Sequence, residues 1–241
     1  MKMAFTRKIL SPAHVVGFAA LAVSGGLLFI REEMAAVPLG LFLFFCLVAP
    51  FIPRAGLFLP VISRGSGTGK AVALTFDDGP DPDVTPLLLD LLARYRLPAT
   101  FFVAGVKVDR HPALIREILL RGHAVGNHSY HHDPFLMLRS RARLSEEITR
   151  TQEVLARFGI RPRAFRPPVG ITNPRLAGVL RALDMDCITF SCRACDFGNR
   201  RIRRLAGTIL KRVHPGAVLL LHDVNPSGGS RAADWLEAVE Q

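Results

Sequence analysis

An apolar run that ends in a short polar cluster occurs five times along this chain, and no other feature limits its fold as much. The clusters begin, in chain order, at Asp77, His128, Arg166, Arg193 and His222. Parallel strands joined by helical crossovers bring their carboxyl ends to one face, where the active sites of α/β barrels are assembled. The repeated pattern therefore predicts a parallel sheet with one polar site at the carboxyl ends of its strands.

Helix-like stretches alternate with the apolar runs, as they do in βα folds. Strands are expected at 71–76, 99–104, 123–127, 163–166, 186–191 and 217–221, and helices at 84–95, 111–121, 139–158, 173–183, 201–213 and 231–240. A stretch of about 170 residues is enough for one sizeable core and too short for two ordinary domains. We therefore predict an α/β fold for residues 71–241, a single deformed (β/α) barrel with fewer than eight full units.

Two adjacent aspartates, Asp77 and Asp78, follow the first apolar run, although the packing of a strand does not require them. Like charges side by side repel each other unless a metal or another cation compensates them. An aspartate before a Gly-Pro turn can also cap the start of a helix, so a structural role stays open. We interpret the pair as part of a site that carries out chemistry.

Three histidines lie within five residues at the end of a later apolar run. His128 and His132 are four residues apart, so their imidazoles can converge on one ion if the backbone turns helically. Two imidazoles and one carboxylate are typical of a catalytic divalent metal site. His131 lies between them and is expected to point elsewhere.

Five short motifs carry a resemblance to a known family. They are TFDDGP at Thr75 to Pro80, HSxxH at His128 to His132, RPP at Arg166 to Pro168, R-x-x-D at Arg193 to Asp196 and LLHD at Leu220 to Asp223. In this order they resemble the motifs of the polysaccharide deacetylase family, the NodB-like carbohydrate esterases of family 4, across residues 70 to 240. The R-x-x-D form resembles that of a membrane-anchored bacterial subgroup.

The resemblance implies a metal-dependent hydrolase that removes an N-acyl (N-acetyl) group from an amino sugar in a polysaccharide or a lipid-linked saccharide. Asp78, His128 and His132 would bind the divalent metal, which is usually zinc. Asp77 would be the general base, and Arg166 would pair with it to fix its orientation and its ionised state.

The remaining roles implied by the resemblance concern the leaving group and the acyl group. His222 would be the general acid that protonates the leaving amine, and Asp196 would tune this histidine. The peptide N–H of Val169 would face the developing oxyanion, because a backbone donor needs no particular side chain. Leu220, two residues before His222 on the same side of the strand, would shape the pocket for the acyl methyl.

The chain departs from the family at two aromatic positions. Val169 and Phe197 stand where the family usually has an aromatic residue and a tryptophan, so one aromatic wall of the sugar groove is missing or reduced. Tyr130, Phe197 and Phe135 remain as candidates to stack on a sugar ring in the substrate pocket.

Two other functions stay open, a catalytically silent saccharide-binding module on the same scaffold and an amidohydrolase for a non-sugar amide. A binding module has no need for a base and an acid that flank a metal, so a complete catalytic set argues against it. The non-sugar amidohydrolase would differ only in the shape of its pocket.

Residues 1–53 contain two uncharged apolar stretches, at about 10–30 and 34–53, each near the ~20 residues that cross a bilayer. We predict two transmembrane helices there, a linker over 54–70 whose 63–69 portion is flexible by composition, and the catalytic domain over 71–241. A cleaved signal peptide is the alternative, although Met34-Ala35-Ala36 is a poor cleavage site.

The charges around these stretches predict the side of the membrane. Basic residues precede the first stretch and follow the second; they are Lys2, Arg7 and Lys8, and Arg54, Arg64 and Lys70. The positive-inside rule then gives a multi-pass protein of the bacterial inner (cytoplasmic) membrane with its catalytic domain on the cytoplasmic face. Three cysteines outside the apolar stretches, without a paired spacing, agree with a reducing compartment.

The chain has a formal net charge of +11, with several basic residues at 200–212 on a stretch predicted to be an amphipathic helix. It contains no DNA- or RNA-binding motif, so we expect membrane lipid and a glycan as partners and neither nucleic acid nor another protein. The spacing Cys192-x-x-Cys195 also occurs in redox and metal motifs, but one such pair is weak evidence.

Overall fold

A computed structural model describes residues 10–52, 54–66, 69–196, 198–226 and 231–241. Within these ranges eight strands form one parallel sheet in the order β1-β6-β5-β4-β3-β2-β8-β7. The strands are β1 (Val61–Ile62), β2 (Ala73–Asp77), β3 (Thr100–Val103), β4 (Ala124–Asn127), β5 (Ala164–Phe165), β6 (Asp186–Ile188), β7 (Cys192–Arg193) and β8 (Val218–His222).

Two helices precede the first strand, α1 (Pro12–Leu27) and α2 (Ala36–Val48). The other helices of the described ranges follow strands of the sheet. They are α3 (Thr85–Arg94), α4 (Gly105–Arg110), α5 (Pro112–Leu120), α6 (Arg141–Ala156), α7 (Pro174–Ala182), α8 (Leu205–Leu210) and α9 (Ala232–Glu240). Five of them, α3, α5, α6, α7 and α9, lie within two residues of the predicted bounds at each end. The short α4 was not predicted.

The two edges of the sheet lie close together, because the chain passes directly from one to the other. β6 and β7 lie near opposite edges, yet Ile188 and Cys192 are separated by four Cα steps, which span at most about 15 Å. Arg64, just after β1, also forms a bridge to Ala217 at the start of β8. The sheet is therefore curled into a deformed barrel, which confirms the predicted fold class.

Side chains of β8 alternate between the two faces of the curled sheet. Leu219 and Leu221 pack in a large apolar cluster with residues of the outer helices, whereas Val218 and Leu220 form a small cluster with Phe190. Because side chains two residues apart share a face, His222 lies on the side of Leu220. In the register between strands, His222 is paired with Asp77 of β2, so the two side chains start from adjacent positions.

Part of the predicted linker belongs to the barrel. Val61 and Ile62 pair with Cys187 and Ile188 as strand β1, and Arg64 donates two hydrogen bonds to the carbonyl of Pro215. Residues 61–62 of the predicted linker are therefore part of the sheet, because these two β-branched residues complete one of its edges. The predicted helix at 201–213 is also shorter, since α8 starts only at Leu205.

The first apolar stretch forms a helix that is short for a bilayer. Helix α1 has 16 residues and is about 24 Å long, against about 30 Å for the hydrocarbon core. In the described ranges one helix is long and apolar enough to cross a membrane, the 20-residue unit Glu32–Phe51 that contains α2. An N-terminal apolar helix that can act as an anchor or a signal is therefore present, and the prediction of two spans is not confirmed.

Candidate active site

Asp78, His128 and His132 come together just beyond the carboxyl ends of β2 and β4. Each offers one ligand atom, and the three atoms lie within 4.8 Å of one another. Asp78 Oδ1 is 3.3 Å from His128 Nε2 and 2.9 Å from His132 Nε2. Neighbouring ligand atoms in a tetrahedral site with bonds of about 2.0–2.1 Å are about 3.3 Å apart. These nitrogen and oxygen donors therefore fit a divalent metal ion.

Left-handed backbone, not a helical turn, brings the two histidines together. The φ angles are positive at Asp78 (71°), Ser129 (65°) and His132 (54°), in a region that residues with a side chain rarely adopt. The helical turn considered from the spacing of His128 and His132 is therefore absent. Strained backbone of this kind persists only where the surrounding structure fixes it.

Hydrogen bonds hold this loop in place. The side chain of Asn127 donates to the carbonyl of Ile148 (2.9 Å) and accepts from the N–H of Ser129 (2.9 Å). His128 Nδ1 lies 2.7 Å from the carbonyl oxygen of Arg166, which can only accept, so Nδ1 carries the proton. His128 Nε2 is thereby left free to bind a metal, a common arrangement around metal-ligating histidines.

The charges at this site favour a cation. Burial raises the pKa of Asp78, but His128 and His132 outweigh this effect and hold the pKa well below its usual value. Burial lowers the pKa of His128, but Asp77, Asp78 and the Arg166 carbonyl outweigh it and raise the pKa. Metal binding then competes with a proton for His128, so affinity for the metal falls as the pH falls.

Asp77 forms a buried ion pair beside the metal ligands. Its Oδ1 accepts a hydrogen bond of 2.6 Å from Arg166 Nη1, and its Oδ2 lies 3.7 Å from His128 Nε2. Arg166 is completely buried, donates also to Thr75 Oγ1 (2.7 Å) and to the carbonyl of Thr189 (3.1 Å), and lies over the ring of Phe102. One carboxylate oxygen is therefore fixed by the guanidinium while the other faces the metal ligands.

His222 lies on the other side of Asp77 and is paired with Asp196. Its Nδ1 is 2.9 Å from Asp196 Oδ2, and Asn199 donates to its carbonyl at 3.0 Å. Burial lowers the pKa of His222, but the bond to Asp196 and the charges of Asp78 and Asp77 outweigh this effect and raise the pKa to about 9. His222 is therefore mostly protonated at neutral pH, and its Nε2 can donate a proton.

Glu147 on α6 supports the loop that carries His128 and His132, and it was not predicted from the sequence. Its carboxylate is buried, accepts hydrogen bonds from the N–H groups of Tyr130 (3.1 Å) and His131 (2.8 Å), and pairs with Arg143 (2.7 Å). His131 Nδ1 also lies 2.7 Å from it, so His131 points away from the metal ligands. The clue in the sequence is a charged residue within the apolar stripe of a helix, between Leu144 and Thr151.

The residue predicted to shape the acyl pocket is buried. Leu220 is buried with Phe190, on the side of its strand that carries His222. Val169 follows Arg166-Pro-Pro in a left-handed conformation (φ 54°) and its side chain is 56% exposed. A β-branched residue is a rare outlier in this region, which fits a backbone N–H held in place for function.

The residues predicted to stack on a sugar ring differ in their exposure. Tyr130 is 5% exposed, belongs to the main apolar cluster and donates its hydroxyl proton to Asp109 at 2.7 Å. Its prediction as a residue of the substrate pocket was therefore wrong, because the left-handed turn at Ser129 directs it into the core. Phe135 is 61% exposed on the loop after the histidines, and Phe197 lies outside the described residues.

Cys192 and Cys195 do not form a second centre in the described structure. Both are free thiols, Cys192 is buried with its sulfur 3.8 Å from the carbonyl of Ile209, and Cys195 Sγ lies 3.1 Å from Arg212 Nη1. Within the described ranges, Asp78, His128 and His132 are the one group of three such residues with ligand atoms this close.

Comparisons with known proteins agree with this geometry. The family model "Polysaccharide deacetylase" matches residues 64–188. A chitooligosaccharide deacetylase of Bradyrhizobium is 36% identical over 169 residues, which cover 69% of this chain and 76% of the relative.

Solved structures give the same result. The Bc1960 peptidoglycan N-acetylglucosamine deacetylase is 31% identical with a TM-score of 0.67, over 75% of this chain and 84% of that one. A mutant of BA3943, a CE4 family pseudoenzyme of Bacillus anthracis with restored enzymatic activity, is 26% identical with a TM-score of 0.66, over 75% and 64% of the two chains.

The two adjacent aspartates are expected to differ on substitution. Asp77→Asn should keep the metal and lose turnover by about 10²-fold or more, because general-base assistance contributes that much. Asp78→Ala should lose the metal itself. Elemental analysis of the two purified variants measures this, and equal metal loss in both would contradict the assignment.

Glu147→Gln should weaken zinc binding by about 10- to 100-fold, the range found when a group that orients metal ligands is changed. The neutral side-chain amide of glutamine has one acceptor oxygen. It cannot accept the hydrogen bonds from the loop N–H groups and from His131 and also pair with Arg143. Glu146→Gln is the matched control, because Glu146 is an exposed neighbour that also pairs with Arg143. Titration of zinc against a chelator measures both, and unchanged affinity in Glu147→Gln would show that the carboxylate does not position the loop.

Proposed function

The chain belongs to the polysaccharide deacetylase family, and we propose that it is a metal-dependent hydrolase that removes an N-acetyl group from an amino sugar of a glycan. The observation that carries this proposal is the pairing of Asp77 with Arg166 and of His222 with Asp196 beside one metal site. The similarity to a chitooligosaccharide deacetylase and to a peptidoglycan N-acetylglucosamine deacetylase supports the substrate class.

The metal ligands come first in this mechanism. Asp78, His128 and His132 would hold the ion, and we infer zinc because two imidazoles and one carboxylate are a common catalytic zinc set. A bound divalent ion lowers the pKa of water and polarises an acyl carbonyl. The low pKa of Asp78 keeps this ligand ionised at neutral pH.

Asp77 is positioned to take a proton from the attacking water. Arg166 holds Oδ1, so Oδ2 is the oxygen that faces the site and accepts the proton. The new C–O bond at the acyl carbon makes a tetrahedral intermediate whose oxyanion the N–H of Val169 would meet. Leu220 and Phe190 would enclose the acyl methyl from inside the barrel.

His222 completes the reaction at the nitrogen. Asp196 binds Nδ1, so the proton on Nε2 is the one available for the leaving amine. Transfer of this proton as the C–N bond breaks releases a free amino sugar and a carboxylate. A pKa of about 9 keeps His222 in the acid form over the neutral range.

A silent saccharide-binding module is the second candidate, and one relative favours it, since BA3943 is a CE4 family pseudoenzyme. A binding module would not need a proton donor. In this chain the proposed donor, His222, is paired with Asp196 and lies directly opposite Asp77 in the register of the sheet. A non-sugar amide remains an alternative substrate, because it would use the same residues.

The deacetylase proposal predicts different losses on two substrates. His222→Ala should impair hydrolysis of an N-acetylated chitooligosaccharide far more than that of an activated aryl acetate, whose leaving group needs little protonation. Mass spectrometry follows the first reaction and absorbance the second. Equal losses on both would remove the acid role, and a wild-type protein with no turnover of either would favour the binding module.

We also propose that α1 and α2 form a membrane hairpin with the catalytic domain on the cytoplasmic face of a bacterial inner membrane. One contact joins the two helices, and two more join their ends to the rest of the chain. A Cβ at Gly17 of α1 would come within 2.9 Å of Phe42 of α2, the N–H of Ala13 donates to Leu57, and the carbonyl of Pro50 accepts from Thr172. Both ends of the pair thus lie against the same domain, and the basic flanks favour the cytoplasm for that side.

A reporter fused after Gln241 tests the sidedness. A cytoplasm-only fluorescent protein should be bright, and alkaline phosphatase in its place should be inactive. The same reporters after Glu33, in the turn between the helices, should give the opposite result. Active phosphatase at Gln241 would place the domain outside and return the substrate to surface polysaccharide.

A further inference from the structure

The end of the apolar span is joined to the loops that carry the candidate active site. The span ends at Phe51, and the carbonyl of Pro50 accepts a hydrogen bond of 3.3 Å from the N–H of Thr172. Thr172 follows Val169 by three residues, so at most about 11 Å of chain separates them. The last turn of the span is thus fixed to the loop after Arg166.

A second contact reaches the loop that follows the metal-binding histidines. Ala49 belongs to the same apolar cluster as Leu136 and Met137. The carbonyl of Met137 accepts from Asn173 (2.6 Å) and Arg175 (3.0 Å), which ties the two loops together. The end of the span is therefore bonded to the loop after Arg166, and that loop is tied in turn to the loop after the histidines.

Exposed apolar side chains surround this mouth. Leu138 is 76% exposed, and Phe135 and Val169 are also largely exposed. Two arginines follow these side chains in the sequence: Arg141, at the start of α6, comes three residues after Leu138, and Arg175 comes six residues after Val169. Neither forms an ion pair with another residue of the described ranges. We call Phe135, Leu138, Arg141, Val169 and Arg175 the membrane rim.

We propose that the membrane rim lies against the bilayer surface, so that the site opens toward lipid and takes an amino sugar carried by a membrane lipid. This inference rests on the proposed function and on the membrane hairpin. If Phe51 ends a membrane span, the loops bonded to its last turn lie at the level of the lipid headgroups. Apolar side chains with neighbouring arginines are the composition that binds an anionic lipid surface.

The reduced aromatic wall agrees with this substrate class. A soluble glycan chain is usually held by stacking its rings on aromatic faces, and Tyr130 is buried in the core. A lipid-linked sugar is already held at the surface by its lipid and needs fewer contacts from the protein. Val169 then serves as an apolar contact with the bilayer.

The opposite end of the barrel provides the control surface. Leu120 is 86% exposed at the end of α5, on the side where the strands begin. In the described ranges it shares neither a hydrogen bond nor an apolar cluster with α2. Leu120 is therefore an exposed leucine like Leu138, but it lies at the end of the barrel opposite to the loops that are bonded to the span.

Quenching of tryptophan by brominated lipid tests the inference on the full chain in nanodiscs of phosphatidylcholine and phosphatidylglycerol. Three variants are compared: Leu138→Trp in the rim, Leu120→Trp as the control and Phe44→Trp within α2 as the reference. The native Trp235 is fully buried and gives a constant background. We expect brominated acyl chains to remove most of the fluorescence added at positions 138 and 44 and little of that added at 120.

Each outcome decides a different point. Quenching at position 44 with equal, weak quenching at 138 and 120 would overturn the inference and leave the deacetylase proposal intact. An unquenched tryptophan at position 44 would overturn the hairpin and this inference with it. Turnover of a soluble chitooligosaccharide is measured separately, so failure of the chemistry is distinguished from failure of the surface.

Discussion

The buried guanidinium of Arg166 depends on Asp77, and the rest of the site depends on this pair. Arg166 comes from the end of β5 and reaches across the barrel to Asp77 and Thr75 on β2 and to the carbonyl of Thr189 after β6. Removing one partner of such a pair leaves an uncompensated buried charge, which costs several kcal/mol. The same interaction joins three separate strands and sets the direction of the base.

The backbone of Arg166 extends this organisation to the metal ligands. Its carbonyl accepts from His128 Nδ1, so the ring of His128 is oriented by the residue whose side chain holds Asp77. On the opposite side of β2, the register partner of Asp77 is His222. The proposed base, the proposed acid and the candidate metal ligands are thus arranged around one strand end.

Much of this arrangement could be predicted from local patterns. The alternation of apolar runs and helices gave the barrel, and Asp78, His128 and His132 do come together, because parallel strands must end on one face. Glu147 belongs to none of the five motifs, and its only sequence signal is a charge within the buried stripe of α6, 16 and 17 residues after the backbone groups that it binds. Tyr130 was placed wrongly because a single left-handed residue, Ser129, decides which way the next side chain points. The strand at Val61 was missed because two residues give no periodicity, and only the pairing with β6 stabilises them.

Strand β8 is synthesised last, although it lies beside β2 in the sheet. β2 needs β3 on one side and β8 on the other, and Thr75 bonds to the carbonyl of Leu219, which is 144 residues later in the chain. The emerging polypeptide therefore carries Asp77 and the three candidate metal ligands long before β8, which carries His222. Until that strand emerges, one edge of β2 has unpaired N–H and C=O groups next to an incomplete site. The proposed acid therefore joins the site only after the other candidate residues have been synthesised.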